Sequence, residues 1–471
     1  MPRASSDAAI MNCMRVLAGV LFIVLLASRP AFGESVRGPS AAAKRADFAQ
    51  FVHDFANNYA YLQQPARPWL SWPTRYAAAV DAARSSEAFA EVLAAALDEL
   101  HDFHAEVRVR NPQRWLAVPT FADIWSEPAA GATGDSAYGT SALVRAVRAG
   151  SDAQRAGIVV GDRVLRVDGV PLQAAVSARL NSSLAAAPAT ASADEAAVAW
   201  AVHSLLAGRA DAARQFTLVD PQGRLREVSL PVQRRFDRAP GALTVRHLRW
   251  QSPQQPSGQI GVIRFNNSLG EQSTVAAFDA ALNGLISARG LVLDLRDVPS
   301  GGNSSVALGI MGRFVHRPLV YQQHRVANYG QADVQRSWLE LVSPRGAFTY
   351  DGPVVLLVNH WTGSMGEGMA VGFDAMQRAT VVGTPMARLA GAVEEFELQH
   401  TGLRVAFATE QLLHPNGTPR ERWLPPVLVA ESPNDVGDPL LERAVQELER
   451  LSALLHLPEG QPQRTPAASA D

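Results

Sequence analysis

Residues 352–385 decide the fold of this chain; they read GPVVLLVNHWTGSMGEGMAVGFDAMQRATVVGTP. An apolar, β-branched run is followed by a glycine-rich turn, a helix-like segment and a second apolar run, which predicts strand, turn, helix and strand. Such a turn lifts one side chain, here Ser364, out of the packed layers and beside the first free N–H groups of a helix. Ser364 therefore has the setting of a nucleophile, although a serine that only caps the helix is commoner there.

The same alternation extends over residues 236–456. Strand-like runs such as GQIGVIRFNN and GLVLDLRD alternate with helix-like segments such as STVAAFDAALNGLISA, and an amphipathic helix is expected at about 438–456. This order predicts a parallel sheet with helical crossovers. Ligands gather at the carboxyl ends of such strands, where Ser364 and the turn DVPSGGN (297–303) both fall. Residues 321–349 carry no such pattern and are expected as loops.

Two further regions precede this one. Residues 34–110 have apolar positions at helical spacing and predict a helical module. Residues 111–235 predict a β-rich domain in which two short strands meet at the turn Asp168–Gly169, with an Ala-rich helical insertion at 173–213 and a closing hairpin. A length of 471 residues agrees with several domains. The predicted fold class is multi-domain α/β.

Both termini have their own character. An apolar run too short to span a bilayer follows Arg15, and small residues precede Glu34, which predicts a signal peptide at 1–33 cleaved near Gly33. A secreted or periplasmic protein without stable membrane insertion is expected; an uncleaved anchor is the alternative. The only cysteine, Cys13, lies in this segment, so the mature chain depends on no disulfide. Residues 457–471 are expected to be disordered.

Composition narrows the classes of function. The formal charge is -2 and no basic block is interleaved with aromatic residues, so nothing indicates nucleic-acid binding. No phosphate-binding loop or Cys/His metal spacing occurs, and no cofactor or metal is expected. Lys44 is the only lysine. Arginine cannot replace lysine as a general base because it stays protonated.

The motifs of the catalytic region resemble a known family. LVLDLRDVPSGGN resembles the Asp-Leu-Arg-x-Asn-x-Gly-Gly motif of the S41 serine peptidases, although it has one more residue and lacks the Asn, and residues 354–385 resemble their nucleophile segment. That family includes the C-terminal processing proteases and the tricorn core peptidases. The resemblance implies a helical module, a PDZ domain and a crotonase/ClpP-like catalytic domain at 236–456. It also implies an endopeptidase acting on proteins or peptides.

The middle region is similar to a bacterial PDZ domain. The pairs Ala-Gly, Gly-Asp and Asp-Gly at 156–157, 161–162 and 168–169 stand at that family's spacing. PDZ domains bind an extended peptide along a sheet edge and its C-terminal carboxylate at backbone N–H groups. The resemblance assigns the carboxylate loop to Gly139, Thr140 and Ser141, so that substrates would be held through their C-termini.

The family uses either a Ser-Lys dyad or serine with histidine and a carboxylate. No lysine follows Ser364, and Lys44 lies in the helical module, so a histidine must be the base. Histidine suits proton shuttling because its pKa lies near the working pH. His104 in LDELHDFHAEV matches the Leu-x-Asp-x-His pattern of the tricorn-type members, and His101 is its neighbouring competitor.

The remaining site residues also come from the resemblance. Glu421 in PRERWLPPVLV matches the glutamate of a Glu-Asn-x-Gly-x-x-Pro segment, one residue shorter and without the Gly; Glu394 and Glu395 are competitors. The oxyanion hole would consist of the backbone N–H groups of Gly302 and Met365, with Gly301 as an alternative. Fixed donors of this kind usually supply the largest catalytic contribution.

Two other interpretations stay open. An α/β-hydrolase has Gly-x-Ser-x-Gly at its nucleophile, but Thr362 occupies the first glycine position, and its histidine would be His400 or His414. That fold leaves the PDZ-like region unexplained. A non-catalytic peptide-binding scaffold would explain the altered Gly-Gly turn, but it needs neither Ser364 nor His104.

Overall fold

The protein is described by a computed structural model. The model describes residues 38–62, 68–109, 114–116, 118–119, 122–129, 141–181, 195–232, 239–250, 258–267, 269–296, 298, 302–328, 331–432 and 437–455. The signal peptide expected at 1–33, the residues Gly139, Thr140 and Gly301, and the tail at 457–471 lie outside these ranges. Within them, no helix has both the length and the apolar character needed to cross a bilayer.

The elements of the described residues follow in chain order. The helices are α1 (Ala41–Asn58), α2 (Trp72–Arg75), α3 (Ala77–Ala82), α4 (Ser86–Asp98), α5 (Asp152–Arg155), α6 (Leu172–Leu180), α7 (Glu195–Ala207), α8 (Ser273–Gly284), α9 (Ser304–Met311), α10 (Met365–Ala375) and α11 (Pro439–Leu455), with short 3₁₀ helices at Pro68–Ser71 and Arg420–Arg422. The strands are β1 (Glu106–Val107), β2 (Ile124–Ala129), β3 (Ser141–Val147), β4 (Arg163–Val167), β5 (Val170–Pro171), β6 (Arg214–Val219), β7 (Leu225–Leu230), β8 (Leu243–Arg249), β9 (Gln259–Phe265), β10 (Gly290–Asp294), β11 (Leu319–Asn328), β12 (Gln331–Val342), β13 (Val354–Val358), β14 (Thr380–Gly383), β15 (Ala392–Glu397), β16 (Arg404–Leu413) and β17 (Val427–Leu428).

The central sheet has the strand order β17-β14-β13-β10-β9-β8. Its strands are parallel except for β8, which is antiparallel to β9. Every residue of β10 and β13 is buried, because helices cover both faces of the sheet. Helices α8, α9 and α10 pack on one face, and α11 packs on the other. The predicted α/β fold with a strand, turn and helix around Ser364 is confirmed.

A second sheet joins the helical module to the catalytic region. It has the order β1-β16-β11-β12, with β15 on β16. The helices expected over 34–110 are α1 to α4, and their aromatic side chains share one core with β16: the Phe55 and Phe407 rings lie 5.1 Å apart. Strand β1 pairs with β16, with Glu106 opposite Ala406. This pairing carries the end of the helical module, including His104, into the catalytic region.

Most of the segment 321–349 belongs to a hairpin rather than to loops. Strands β11 and β12 pair over most of their length, and β11 also pairs with β16. The expectation of loops is wrong because the pairing is stabilised by polar contacts, which leave no apolar alternation in the sequence. His324 lies between two carboxylates, with Nδ1 at 2.7 Å from Glu410 and Nε2 at 2.8 Å from Glu340, and its ring stacks on Trp338.

The cluster of His324, Glu340 and Glu410 predicts that the free energy of unfolding falls at alkaline pH. Burial alone would lower the pKa of His324, but its bonds to Glu340 and Glu410 outweigh burial and raise the pKa to about 9. Since the folded pKa lies above the unfolded value of about 6.5, the stabilisation is complete below that value and is lost as the pH rises through 9. We expect urea denaturation to give a lower free energy of unfolding at pH 9.5 than at pH 7. This difference should shrink in His324→Gln; an equal difference in both proteins would contradict the assignment.

The region 111–235 forms a β-rich module. Its sheet has the order β2-β3-β4-β6-β7, with β5 on β4. Asp168 and Gly169 connect β4 to β5 with φ values of 50° and 76°, which fits the predicted two-residue turn. Helices α6 and α7 occur in the Ala-rich segment, and α7 packs across the module's core.

Candidate active site

Ser364 lies in a sharp turn between β13 and α10. Its backbone has φ 52° and ψ -112°, a region that costs a non-glycine residue about 1–3 kcal/mol. A serine that only caps a helix has an extended backbone instead. Strain of this kind is retained where the surrounding structure imposes it, and it is common at functional sites. The backbone of Ser364 therefore differs from that of an ordinary N-cap.

Contacts with the loop after β10 impose this turn. The Thr362 hydroxyl is buried, donates to the Leu295 carbonyl at 3.1 Å and accepts the Asn359 N–H at 3.0 Å. The Gly363 N–H donates to the Val298 carbonyl at 2.9 Å. The threonine that departs from the hydrolase pattern is thus a structural residue that fixes the turn to the neighbouring strand.

The two residues predicted for the oxyanion hole lie at the start of α10 and in the loop before α9. Met365 is the first residue of α10, where a backbone N–H has no acceptor within the helix. Gly302 is exposed and follows Val298 in the same loop; a Cβ added to it would lie 2.5 Å from the Leu269 carbonyl oxygen. Only glycine fits this close approach. The Val298 side chain also reaches the position of Gly366 in the first turn of α10.

His104 lies between α4 and β1, and its ring is oriented by a backbone carbonyl. Nδ1 is 2.7 Å from the Ala390 carbonyl oxygen. Because a carbonyl only accepts, Nδ1 carries the proton and Nε2 keeps a free lone pair. Burial, followed by the charges of Arg420 and Arg108, lowers the pKa of His104 to about 4, and the backbone carbonyls of Ala390 and Gly391 oppose this shift. The imidazole is therefore neutral at physiological pH and able to accept a proton.

Asp102 fixes the backbone of His104. Its Oδ1 accepts the His104 N–H at 2.8 Å, and its Oδ2 accepts the Tyr59 hydroxyl at 3.0 Å. Burial raises the pKa of Asp102 to about 6, and these two bonds limit the rise. The aspartate of the Leu-x-Asp-x-His pattern thus holds the base through the main chain.

Glu421 lies in the 3₁₀ helix Arg420–Arg422, beside Tyr61 and Asp102. Burial, followed by the charge of Glu421, raises the pKa of Tyr61 above its ordinary value, and Glu421 also raises that of Asp102. In the described part of the chain, the bond of the His104 ring is to Ala390 and not to Glu421. The competitors Glu394 and Glu395 are exposed on β15.

Other predicted candidates have separate surroundings. The ring of His101 packs 5.0 Å from that of Trp200. His414 pairs with Asp374, which is ten positions beyond Ser364 and hence about 15 Å along α10. The backbone of His400 is bound by Asp47 of α1, and Lys44 donates to the Ala83 carbonyl within the helical module. Of the histidines predicted as candidates, His104 is the one whose ring is bonded to the Ala390 carbonyl.

The β-rich module covers the turn that precedes Ser364. The Trp125 ring of β2 stacks on His360 with centroids 4.5 Å apart and contacts His203 of α7 at 4.2 Å. Trp125 also forms a buried cluster with Ala146 and Trp361. Burial lowers the pKa values of His203 and His360 to about 3, so both rings are neutral. The module therefore packs through neutral rings on the turn that precedes Ser364.

Ser141 is the one residue of the predicted carboxylate loop that the structure describes. It is buried and begins β3, where it pairs with Ala129 of β2. The next residue, Ala142, pairs with Val164 of β4, so both edges of β3 are occupied at this end. In the described part of this sheet β2 is an outer strand, with α7 packed beside it. A peptide adding as a strand would have to use an outer strand such as β2.

Two site residues escaped sequence interpretation. Glu367 accepts the Ser364 N–H, and Arg420 donates to the backbone beside Ala390. The Ser-x-x-Glu spacing at 364–367 was the available signal, because it is typical of a helix capping box.

Comparison with known proteins identifies the class. Residues 259–425 match the family model of peptidase family S41. The chain is similar in fold to mature CPAF (16% identity, TM-score 0.56, 88% of this chain and 97% of that chain) and to mature CPAF complexed with lactacystin (15%, 0.54, 88% and 98%). The photosystem II D1 C-terminal processing protease matches at 17% identity, with a TM-score of 0.49 over 86% of this chain and 97% of that chain.

The match to peptidase family S41 spans residues 259–425, the region that carries Ser364 and both motifs. The chain is a serine-type peptidase, and its substrates are proteins or peptides. The resemblance drawn from the two motifs is confirmed.

Proposed function

We propose that the protein is a serine endopeptidase in which Ser364 is the nucleophile and His104 is the general base. One observation carries the proposal: the His104 ring is bound to Ala390, within a segment whose N–H groups are bound by the same carboxylate, Glu367, that binds the Ser364 N–H. Nucleophile and base are thus linked through one side chain. The Nδ1 bond leaves Nε2 as the atom that faces the reaction.

The reaction would proceed in two stages. The Ser364 Oγ attacks the carbonyl carbon of the peptide bond while His104 Nε2 takes the hydroxyl proton. The tetrahedral oxyanion is stabilised by the N–H groups of Met365 and Gly302. Nε2 then returns the proton to the leaving amine, and the C–N bond breaks to give an acyl-enzyme. Water, activated by the same imidazole, attacks the acyl-enzyme and releases the carboxylic acid and the serine.

Glu421 is the third of the proposed catalytic residues, and it acts without touching the imidazole of His104. With Tyr61 and Asp102 it forms a buried acidic cluster next to the segment that bears His104. Its charge would favour the imidazolium that forms during catalysis and offset the unfavourable charges of Arg420 and Arg108.

The β-rich module would recognise the substrate as PDZ domains do. Its outer strand β2 offers backbone groups for an extended peptide, and Ser141, the last residue of the predicted carboxylate loop, pairs with Ala129 at the end of β2. Trp125 of this strand contacts His360, four residues before Ser364. We propose that the substrate is held here by its C-terminus and that the protein is secreted or periplasmic after removal of residues 1–33.

Cleavage of an unstructured protein tests the proposed function. The purified protein should cleave casein, and Ser364→Ala should not, in the presence and absence of peptides that end in a free carboxylate. Fragments that appear at equal rates with both proteins, or with neither, would reject the peptidase in favour of a peptide-binding scaffold.

Substitution of Gly302 provides a separate test of the oxyanion hole. Gly302→Ala places a Cβ 2.5 Å from the Leu269 carbonyl oxygen, so the loop must shift and carry the Gly302 N–H away. We expect kcat to fall by about 10²-fold with little change in KM, as for loss of one oxyanion donor. The control is Gly284→Ala at the end of α8, where an added Cβ meets nothing within 4 Å. Equal kcat values for the two variants would contradict the role of Gly302.

A further inference from the structure

The carboxylate of Glu367 does more than cap a helix. Glu367 is at the third position of α10 and has 0% exposure. Its Oε2 accepts the Ser364 N–H at 2.8 Å, as the glutamate of a capping box does. It also accepts two N–H groups from a distant segment: Arg388 donates to Oε1 at 2.9 Å and Leu389 to Oε2 at 3.3 Å.

The distant segment is shaped to bind this carboxylate. Arg388 has φ 60°, a left-handed conformation that is costly for a residue with a side chain. Successive N–H groups in such a turn point to one side and form a concave anion site, called a nest. The two N–H groups converge on Glu367, so an internal carboxylate takes the place of an anion. Binding of the carboxylate offsets the cost of the turn.

Arg420 holds the other side of the same segment. This residue is 3% exposed, and one guanidinium nitrogen donates to the Leu389 carbonyl at 3.0 Å and to the Gly391 carbonyl at 2.7 Å. The carbonyl between them, that of Ala390, accepts the hydrogen bond from Nδ1 of His104. Glu367 therefore fixes the N–H groups of this segment, and Arg420 fixes the carbonyl groups on either side of Ala390, the residue whose carbonyl accepts the hydrogen bond of His104.

From these contacts we infer that Glu367 and Arg420 are positioning residues, which act on catalysis through segment 388–391 by setting where His104 stands relative to Ser364. The inference rests on the proposed function and deepens it. Neither residue needs to touch the substrate. Glu367 is the only described side chain bonded both to the Ser364 N–H and to the segment that binds the His104 ring.

The surroundings of the Glu367 carboxylate support its role in holding the segment 388–391. Burial raises the pKa of Glu367 to about 7, while the charge of Arg420 and the three N–H bonds oppose the rise. The ionised carboxylate accepts all three N–H groups with its two oxygens. A glutamine of the same shape has one acceptor oxygen, and its NH₂ group faces an N–H donor. Glu367→Gln therefore breaks the link on one side while keeping the volume of the side chain.

The test compares Glu367→Gln, Arg420→Met, their double variant and the matched control Glu447→Gln in the full chain. Glu447 is also buried, at 3% exposure, but lies on α11, on the opposite face of the central sheet, paired with Arg450. We expect each single site variant to lose about 10- to 100-fold in kcat with KM within about threefold, since a small displacement of reacting groups has this effect. The control should stay within about twofold of the wild type.

The double variant separates positioning from general loss of structure. If both residues act through one segment, the double variant loses at most about threefold more than the worse single variant. Losses that multiply, or a kcat of Glu367→Gln equal to that of Glu447→Gln, would overturn the inference. Should Glu367→Gln not fold, Arg420→Met tests the same segment from its other side, and an unchanged kcat there overturns the inference as well.

The same assay distinguishes this inference from the proposed function. Wild-type protein no faster than Ser364→Ala would reject the peptidase and the positioning role together. Wild-type protein that cleaves in a Ser364-dependent way, with Glu367→Gln and Arg420→Met equally fast, would reject the positioning role alone.

Discussion

Ser364→Ala is expected to lower kcat for peptide hydrolysis by about 10⁶-fold, the effect of removing the nucleophile from a serine–histidine pair. The hydroxyl is the atom that forms the acyl-enzyme, and another side chain cannot take its place in this turn. The fold should be retained, because Ser364 is held through its backbone, with its N–H on Glu367. Steady-state kinetics and a thermal unfolding curve would measure the two effects separately.

Ser85→Ala is the matched control for the simpler role of Ser364. Ser85 is an ordinary N-cap: its side chain accepts the Ala88 N–H at the start of α4, and its backbone is extended. Its loss should cost about 1 kcal/mol of stability and leave kcat within about twofold. If Ser364→Ala behaves in the same way, Ser364 is a cap and the nucleophile assignment is wrong.

His104→Ala is expected to lower kcat by a similar factor of about 10⁶. Without the imidazole, the serine proton has no acceptor, and the leaving amine has no donor. Since serine and histidine act as a unit, the double variant with Ser364→Ala should be no slower than either single variant. His101→Ala is the control three residues earlier, because that ring packs on Trp200; it should keep kcat within about threefold. A large loss of kcat in His101→Ala, with little loss in His104→Ala, would show that His101 and not His104 is the general base.

The elements around Ser364 were predictable because their sequences are extreme. The runs that became β10 and β13 are continuously apolar, as strands buried on both faces must be, and a glycine-rich turn follows β13. His104 was predictable only by resemblance. Its setting depends on β1 pairing with β16, some 300 positions away, and no local pattern encodes that pairing.

The polar contacts that build the site were not predictable. Glu367 reaches Arg388 across 21 positions, and Arg420 reaches Leu389 across 31, and each contact is made to a backbone group that has no sequence signature. In the sequence, Thr362 counted only against the Gly-x-Ser-x-Gly motif of an α/β-hydrolase. Its hydroxyl in fact bonds to the Leu295 carbonyl and secures the turn.

The role of the motif arginine and the hairpin at 319–342 were also not apparent from the sequence. Arg296, the arginine of the Asp-Leu-Arg motif, bonds to Asp294 and Asp438 and so ties β10 to the start of α11. Strands β11 and β12 resembled loops because polar pairs such as His324 with Glu340 fill inward positions that apolar residues usually occupy.

Reaction with a fluorophosphonate tests the central claim most directly, because such reagents phosphonylate only a serine that a base has activated. The account predicts one phosphonyl group per chain, located by mass spectrometry on Ser364, with the labelling rate reduced in His104→Ala by as large a factor as kcat. Labelling elsewhere, or labelling of Ser364 at the same rate in wild type and His104→Ala, would contradict the assignment of Ser364 and His104 as nucleophile and base.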